Sequence, residues 1–304
     1  MPATRSDRAT PPAAALPEPR PGPLPEPRPA LSPSRASDFL QCPLLYRLRV
    51  VDRLPTPPSP AAARGSLVHS VLERVFDAPP AQRTPESAVG LIPQAWEEMV
   101  ERDPELAALV DGSDRESWFA AAARLVEKWF GLEDPTHLEP AHREHYVEVE
   151  LDGVRLRGYI DRLDVAPTGE VRVVDYKTGR APHPQFETQA LFQMRFYALV
   201  LWRSTGVVPR MLQLVYLGNG ELVRYLPDED ALLATERKVR AVWSAISAAA
   251  ESGDWRPRRS ALCRSCDFRE LCPEFGGTPP PLPAHSAQRA VDPRWSGEPE
   301  VVVQ

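Results

Sequence analysis

The sequence predicts an α/β fold in which a mixed central β-sheet is flanked by helices. Apolar residues recur at helical spacing up to about residue 130, alternate between residues 145 and 176, and then return to helical spacing. Two glycine turns, Asp152-Gly153 and Gly218-Asn219-Gly220, each separate a pair of apolar segments and predict hairpins. With 304 residues, of which 42% are hydrophobic, the chain can bury a core of this kind.

The segments before the sheet are predicted to be helical. Ser34 is a residue type that caps helices, and Phe39 and Leu44 follow it on related faces of a first helix. A proline-rich connector then leads to Gly65, which opens a second helix. The helices expected in this part are 34–49, a segment from 65 onward, 87–100 and 114–130.

The sheet is predicted to begin where alternation begins. Val147, Val149 and Leu151 alternate with polar residues, as in a strand with one buried face. The elements expected from here are strands 145–151, 154–165 and 170–176, a helix at 186–203, strands 210–217 and 222–226, and a helix at 228–252.

Both ends of the chain are predicted to be disordered tails. Residues 1–30 contain the near-repeat Leu-Pro-Glu-Pro-Arg-Pro, which favours an extended polyproline-like chain and buries too little to fold. Residues 276–304 are again rich in Pro and Gly. The folded unit is therefore expected at 31–275.

Net charge and hydropathy exclude several classes of protein, such as membrane-spanning and secreted proteins. The net charge of −6 argues against a general nucleic-acid coat, although a local basic groove is enough to bind DNA. No stretch approaches the roughly 20 apolar residues of a membrane span, and the arginine-containing N-terminus has no apolar signal region. These features predict a cytoplasmic protein with reduced cysteines and no membrane partner.

A carboxylate–lysine centre is predicted on the sheet. Asp175 and Lys177 are two residues apart on a strand and share one face, while Asp161 on the neighbouring strand can lie beside Asp175. Such charges are unfavourable when buried unless a cation such as Mg²⁺ offsets them. The cation would polarise a phosphodiester and activate water, and Lys177 would hold the water or offset the developing charge. An isolated Asp-x-Lys is usually a solvated pair, but the ordered series of motifs favours a nuclease centre.

Three further side chains are candidates for the same site. Gln193 and Tyr197 are four residues apart on the following helix and therefore share one face. They can contact the lysine, a water or the DNA backbone. His69, on a helix before the sheet, is either a packed helix residue or a third metal ligand, and the carboxylates downstream favour the ligand. Glu73, one turn later, either orients His69 or is a solvated helix charge.

The four cysteines are placed to bind metal. Cys263, Cys266 and Cys272 form a cluster, and Cys42 lies near the other end of the predicted domain. Four thiolates suit either Zn²⁺ or an iron–sulfur cluster. The split of one plus three, rather than two Cys-x-x-Cys pairs, favours the cluster. Closing a loop of over two hundred residues predicts a structural role.

These motifs together resemble the RecB-like branch of the PD-(D/E)XK nuclease superfamily, over nearly all of residues 31–275. The resemblance rests on His69, Gly158-x-Ile160-Asp161, Asp175-x-Lys177 and Gln193-x-x-x-Tyr197. It implies a restriction-endonuclease-like core in which His69, Asp161, Asp175 and the Tyr176 carbonyl bind Mg²⁺ or Mn²⁺ and Lys177 is catalytic. Gln193 and Tyr197 would carry the extra motif of the branch. Many relatives have Glu where this chain has Asp175, and both residues occur in the superfamily.

The cysteine order is similar to the iron–sulfur subgroup, which includes the AddB nuclease domain and the CRISPR adaptation nuclease. There, one cysteine before the core and three after it hold a 4Fe–4S cluster, which implies that Cys42, Cys263, Cys266 and Cys272 are its ligands. The function implied is a metal-dependent DNA exonuclease that acts on single-stranded ends in repair or recombination.

Other functions remain open at this point. Processing of CRISPR prespacers would make a CRISPR integrase the partner. A non-catalytic DNA-end-binding module would predict a broken active-site set, and a redox sensor would predict DNA affinity without cleavage. The chain has no Gly-x-x-x-x-Gly-Lys-Ser/Thr loop, so a helicase must be a separate chain. Arginines near both cysteine segments either contact phosphates or form a solvated surface.

Overall fold

Five strands form the central sheet of the computed structural model, which describes residues 29–110, 114–181, 187–283 and 285–291. The strands are β1 (His142–Leu151), β2 (Val154–Val165), β3 (Val171–Lys177), β4 (Met211–Tyr216) and β5 (Glu221–Tyr225). They lie in chain order, with β3 parallel to β4 and the other neighbours antiparallel. The predicted mixed sheet is therefore confirmed.

Helices cover both faces of this sheet. They are α1 (Pro33–Gln41), α2 (Pro43–Tyr46), α3 (Pro60–Arg74), α4 (Pro85–Gly90), α5 (Ile92–Arg102), α6 (Leu106–Leu109), α7 (Arg115–Phe130), α8 (Glu187–Thr205), α9 (Glu229–Ser252) and α10 (Ser286–Val291). Because β3 and β4 are parallel, the chain crosses over between them, and α8 makes that connection. Across the described residues, no helix combines the length and apolar composition needed to cross a bilayer.

The single helix predicted at 34–49 is wrong. Ser32, not Ser34, caps α1, and its hydroxyl accepts from the Arg35 N–H at 3.2 Å. Pro43 then restricts the preceding residue, so Cys42 is extended (φ −162°, ψ 116°) and the helix stops. The chain continues as α2 and a π-helical turn, Arg47–Val51. Pro43 therefore leaves Cys42 at a break between helices.

The second helix begins five residues earlier than predicted. Ser59 caps α3, since its hydroxyl accepts from the Ala62 N–H at 3.1 Å, and Pro60 supplies the pre-set φ that suits a first helical residue. Gly65 therefore lies inside the helix.

The sheet separates two hydrophobic cores. Val173 of β3 packs with Phe196 of α8 and Trp243 of α9 on one face. The next residue, Val174, packs with α3 and α7 on the opposite face. This alternation is that of a strand buried on both sides, and it places α3 and α8 across the sheet from each other.

The folded unit includes Leu31, its predicted first residue, but extends beyond its predicted C-terminal limit. Leu31 lies beside β2, where its N–H donates to the Arg155 carbonyl at 2.8 Å and its carbonyl accepts from Arg157 at 3.0 Å. At the other end, α10 lies beyond residue 275, and its Ala290 is buried in the same core as α9. One small apolar residue in a Pro/Gly-rich region gives no periodic signal, so the predicted limit was too early. The rest of both predicted tails, residues 1–28 and 292–304, lies outside the described residues.

Replacing Gly158 with Ala is expected to destabilise the protein. A Cβ at this position in β2 would lie 2.5 Å from Cε1 of Tyr197, whose ring packs against the strand. We expect Gly158→Ala to lower the free energy of unfolding by about 1–3 kcal/mol in a urea titration, as overpacking does elsewhere. Gly90→Ala is the control, because a Cβ there meets no atom within 4 Å. Equal stability of the two variants would contradict the close packing of β2 on α8.

Candidate active site

The candidate site lies where β2 separates from β3. Their pairing ends with Arg162 opposite Val174, and the next pair in that register would join Asp161 to Asp175. The Asp161 side chain takes up part of the lost pairing, because its Oδ2 accepts the Tyr176 N–H at 2.7 Å. The two sequence-predicted carboxylates are therefore brought together at the point where the ladder opens.

His69 reaches this point from α3. Its Nδ1 lies 3.4 Å from Asp161 Oδ2, and its ring meets the Tyr176 ring edge-on at 6.0 Å. Leu67, Val68, Val71 and Leu72 anchor α3 in the core around it. The predicted neighbourhood of His69, Asp161 and Tyr176 is thus present in the structure.

Glu144 is a site residue that sequence reasoning missed. Arg143 lies opposite Arg162 and His145 opposite Ile160, so the register sets Glu144 across from Asp161. Glu144 itself has φ 42°, a left-handed conformation that is unfavourable for a non-glycine residue within a strand. Ligand atoms of His69, Glu144 and Asp161 all lie within 4.8 Å of one another. Counting back from the Asp152-Gly153 turn would have found this pair.

Asp175 and Lys177 form an ion pair on the α8 side of the site. Lys177 Nζ lies 2.6 Å from the buried Oδ2 of Asp175. Gln193 spans the pair, because its Nε2 donates to Asp175 Oδ1 at 2.8 Å and its Oε1 accepts from Lys177 at 2.9 Å. Tyr197 completes the row, with its hydroxyl 3.4 Å from Gln193 Nε2.

The electrostatics of the site are those of crowded carboxylates. Burial raises the pKa of Glu144 to about 7, with repulsion from Asp161 acting in the same direction. Burial and the Asp161 charge also raise the pKa of Asp175, although Lys177 opposes them. Burial lowers the pKa of His69, but hydrogen bonding and attraction to Asp161 outweigh it, and the net shift is upward. A cation would relieve all three effects.

A buried ion-pair network supports the site from the other face of the sheet. Arg162, 1% exposed, donates to both carboxylate oxygens of Glu133 at 2.9 and 2.7 Å. Its NH1 also donates to the Tyr176 hydroxyl at 2.6 Å. Trp129 and Gln213 donate to the same carboxylate at 2.8 and 2.9 Å. Because both carboxylate oxygens of Glu133 accept hydrogen bonds, the network is stable and restrains the parts of β2 and β3 next to it. These parts carry Asp161 and the Tyr176 N–H.

The four cysteines border one cavity, which we call the thiol pocket. All four are free, and Leu44, Leu45 and Phe268 share its lining. The N–H groups of Arg258 and Ser260 point to the sulfurs of Cys42 and Cys263 at 3.3 and 3.4 Å. Burial raises the pKa of Cys272, and the charges of the other three thiolates raise it further, so the four lie close enough to repel one another.

Many of the arginines near the thiol pocket serve the fold. Arg47 is buried and pairs with Asp52, and Arg49 pairs with Asp38 and Asp267. Arg258 donates to the Leu40 carbonyl at 2.5 Å, while Arg259 and Arg269 lie over the Phe275 ring. These contacts assign several candidate phosphate ligands to structural roles.

Comparison with known sequences identifies a family. Residues 30–273 match the sequence model of the PD-(D/E)XK nuclease superfamily. The Gene 69 protein of Mycobacterium phage D29 is 27% identical over 267 residues, which are 80% of this chain and 96% of that protein. The Gene 69 protein of Mycobacterium phage L5 is 30% identical over 130 residues, or 42% of each chain.

A solved structure has a similar fold. The "Putative exonuclease" from Eubacterium rectale covers 78% of this chain and 86% of its own length with a TM-score of 0.50. The two sequences are 13% identical, so the likeness concerns the fold.

Crowding of the carboxylates predicts a pH dependence in metal-free protein. A carboxyl whose folded pKa is raised stabilises the fold below its unfolded pKa, near 4.5 for Glu144, and that contribution is lost as the pH rises through about 7. In EDTA, the unfolding midpoint of wild type should therefore fall more between pH 5 and 7.5 than that of Glu144→Gln. Glu97→Gln, an exposed change on α5, should keep the wild-type profile. Superimposable profiles for wild type and Glu144→Gln would refute the repulsion.

Proposed function

Because the chain belongs to the PD-(D/E)XK nuclease superfamily, we propose that it is a divalent-metal-dependent nuclease that hydrolyses phosphodiester bonds in DNA. One observation carries the proposal. Two acidic side chains and a histidine converge where β2 leaves β3, and an Asp-Lys pair lies beside them. The catalytic set is complete, which disfavours a non-catalytic DNA-end-binding module.

The donor atoms at the site suit Mg²⁺ or Mn²⁺. Carboxylate oxygens are the ligands that these hard cations prefer, and an imidazole is acceptable to Mn²⁺. Asp175 Oδ2 is buried and lies 2.6 Å from Lys177 Nζ, so a cation bound by Asp175 would share the carboxylate with the lysine. We assign His69, Asp161, Asp175 and the Tyr176 carbonyl as ligands, as the family resemblance implies. Glu144 is added because of its position across from Asp161.

Each residue of the site would have a separate role in phosphodiester hydrolysis. A bound cation would polarise the phosphodiester and lower the pKa of water. Lys177 would orient that water or offset negative charge on the phosphate as the bond breaks. Gln193 holds Lys177 and Asp175 at hydrogen-bonding distance, and so keeps the ammonium beside the ligands rather than in solvent. Tyr197 would orient Gln193 or contact the DNA backbone.

The finer assignments rest on the resemblance to the RecB-like branch. They are an exonuclease activity on single-stranded ends, a role in repair or recombination in the cytoplasm, and a separate helicase as partner. Processing of CRISPR prespacers beside an integrase is the alternative. Cleavage of circular single-stranded DNA would identify an endonuclease, whereas stepwise shortening of end-labelled linear DNA alone would identify an exonuclease and give its polarity.

Loss of Lys177 is expected to abolish cleavage without unfolding the protein. On end-labelled single-stranded DNA with Mg²⁺ or Mn²⁺, Lys177→Ala should reduce kcat about 10²–10³-fold, as removal of one transition-state stabiliser does elsewhere. Lys128→Ala is the matched control, since Lys128 is exposed and bonds only the Gly218 carbonyl among the contacts described. A folded wild type that does not cut, or a Lys177→Ala variant that cuts normally, would refute the proposed mechanism.

We also propose that the thiol pocket holds a 4Fe–4S cluster. A 4Fe–4S cluster takes four thiolate ligands, and the four thiols of this chain line one cavity. The N–H groups directed at Cys42 and Cys263 are typical of the hydrogen bonds that tune such clusters.

Replacing one thiol is expected to remove metal and stability together. Cys266→Ala, purified without oxygen, should lose iron, brown colour and visible absorption, and its melting temperature should fall because the pocket joins the two ends of the domain. Ser265→Ala, an exposed neighbour, should retain all four properties. A colourless wild type containing one zinc per chain would overturn the cluster assignment and leave a structural Zn²⁺ site.

A further inference from the structure

We propose that Tyr146 and Tyr159 form a stacking platform for a nucleobase of single-stranded DNA, next to the phosphate held at the candidate site. The inference rests on the proposed nuclease function and names the form of substrate that this site accepts. The two tyrosines are direct cross-strand partners in the β1–β2 hairpin, and their ring centroids lie 5.3 Å apart.

Their distance from the candidate ligands fits this role. Tyr159 is two residues before Asp161 in β2, and Tyr146 is two residues after Glu144 in β1. Residues two apart in a strand project to one side and are separated by about 7 Å. The platform is therefore within reach of a nucleotide whose neighbouring phosphate binds to a cation that Glu144 and Asp161 would hold.

The two rings are accessible to solvent, and therefore to a base, rather than buried in a hydrophobic core. Tyr159 is 41% exposed, although most other tyrosines of the described chain are buried. Tyr146 is half-buried, and its hydroxyl donates to Glu148 at 2.5 Å, which fixes one ring against the other. The two ring planes are inclined at 59°, so a base would stack on the exposed Tyr159 ring, while Tyr146, held by Glu148, supports that ring from the side.

The surrounding charges favour stacking over general phosphate attraction. Arg157, two residues before Tyr159 on the same strand face, forms a hydrogen bond with Tyr146. Glu148 and Glu150 lie opposite Arg157 and Arg155 and balance them. A face with so little net charge would hold a nucleic acid mainly through base–aromatic contact, which every base can make. Because paired bases are already stacked on both sides, this surface selects single strands.

A purely structural role is the competing explanation. Cross-strand aromatic pairs stabilise hairpins, so Tyr146 and Tyr159 could serve the sheet alone. That role predicts lower stability for a truncated variant but no dependence on the presence of a base. The two explanations therefore differ in how the variant responds to DNA that lacks one base.

The test measures equilibrium binding by fluorescence anisotropy in the full chain carrying Lys177→Ala, so that the DNA stays intact. Labelled single-stranded oligonucleotides would be used in Ca²⁺, either unmodified or with one abasic site moved along the end. Tyr159→Ala should weaken binding of the unmodified DNA about 5- to 100-fold. Tyr159→Phe should remain within about twofold. In the protein that retains Tyr159, an abasic site at one particular position of the oligonucleotide should weaken binding. In Tyr159→Ala, an abasic site at that position should leave the affinity unchanged. Leu226→Ala, an exposed apolar change beyond the far edge of the sheet, is the control.

Cleavage by the same proteins with Lys177 restored separates this inference from the proposed function. Suppose that wild type cuts DNA and that, in the Lys177→Ala background, Tyr159→Ala binds every oligonucleotide as tightly as the protein with Tyr159. The platform is then refuted and the nuclease proposal stands. If Tyr159→Ala loses affinity equally for unmodified and all abasic DNA, the structural role is correct and the platform is refuted. If wild type binds but does not cut, the nuclease proposal fails and the abasic pattern still decides the platform. If wild type neither binds nor cuts, both fail.

Discussion

Repulsion among Glu144, Asp161 and Asp175 is the constraint around which the protein is organised. Three carboxylates near one point would force strands apart, and the ladder between β2 and β3 does open there. Three contacts offset the negative charge of these carboxylates. The Tyr176 N–H and His69 contact Asp161, and Lys177 contacts Asp175. Each contact offsets part of the charge, yet burial and the Asp161 charge still raise the pKa values of Glu144 and Asp175.

Rigid packing on both faces of the sheet keeps this unfavourable arrangement in place. On the α3 side, the Arg162–Glu133 network anchors the strand residues next to the ligands. On the α8 side, the ring of Tyr197 packs against Gly158 and brings Gln193 to the Asp-Lys pair. Stability gained in two cores therefore offsets local electrostatic strain, as is usual when functional groups are held by a scaffold.

Sequence reasoning located the site because its members follow local rules. The Asp152-Gly153 turn fixes a hairpin, β2 has the predicted bounds, and Asp175 and Lys177 share a face through simple alternation. Glu144 was missed because its position depends on cross-strand register and on an irregular φ, neither of which appears as a motif. The break at Cys42 was missed because an apolar pattern continued across Pro43. Packing of α10 depends on tertiary contact through Ala290, which no local pattern encodes.

The thiol pocket joins parts of the chain that leave the ribosome at different times. The sheet can grow strand by strand, since each strand pairs with the one made just before it. Cys42, in contrast, can approach Cys272 only after Cys272 has been synthesised. The two are more than 200 residues apart, which corresponds to about 10–40 s at ordinary translation rates. A nascent chain can thus assemble its carboxylates before its ends are joined. A chain that terminates before Cys272 lacks part of the pocket lining, although its five strands have all been made.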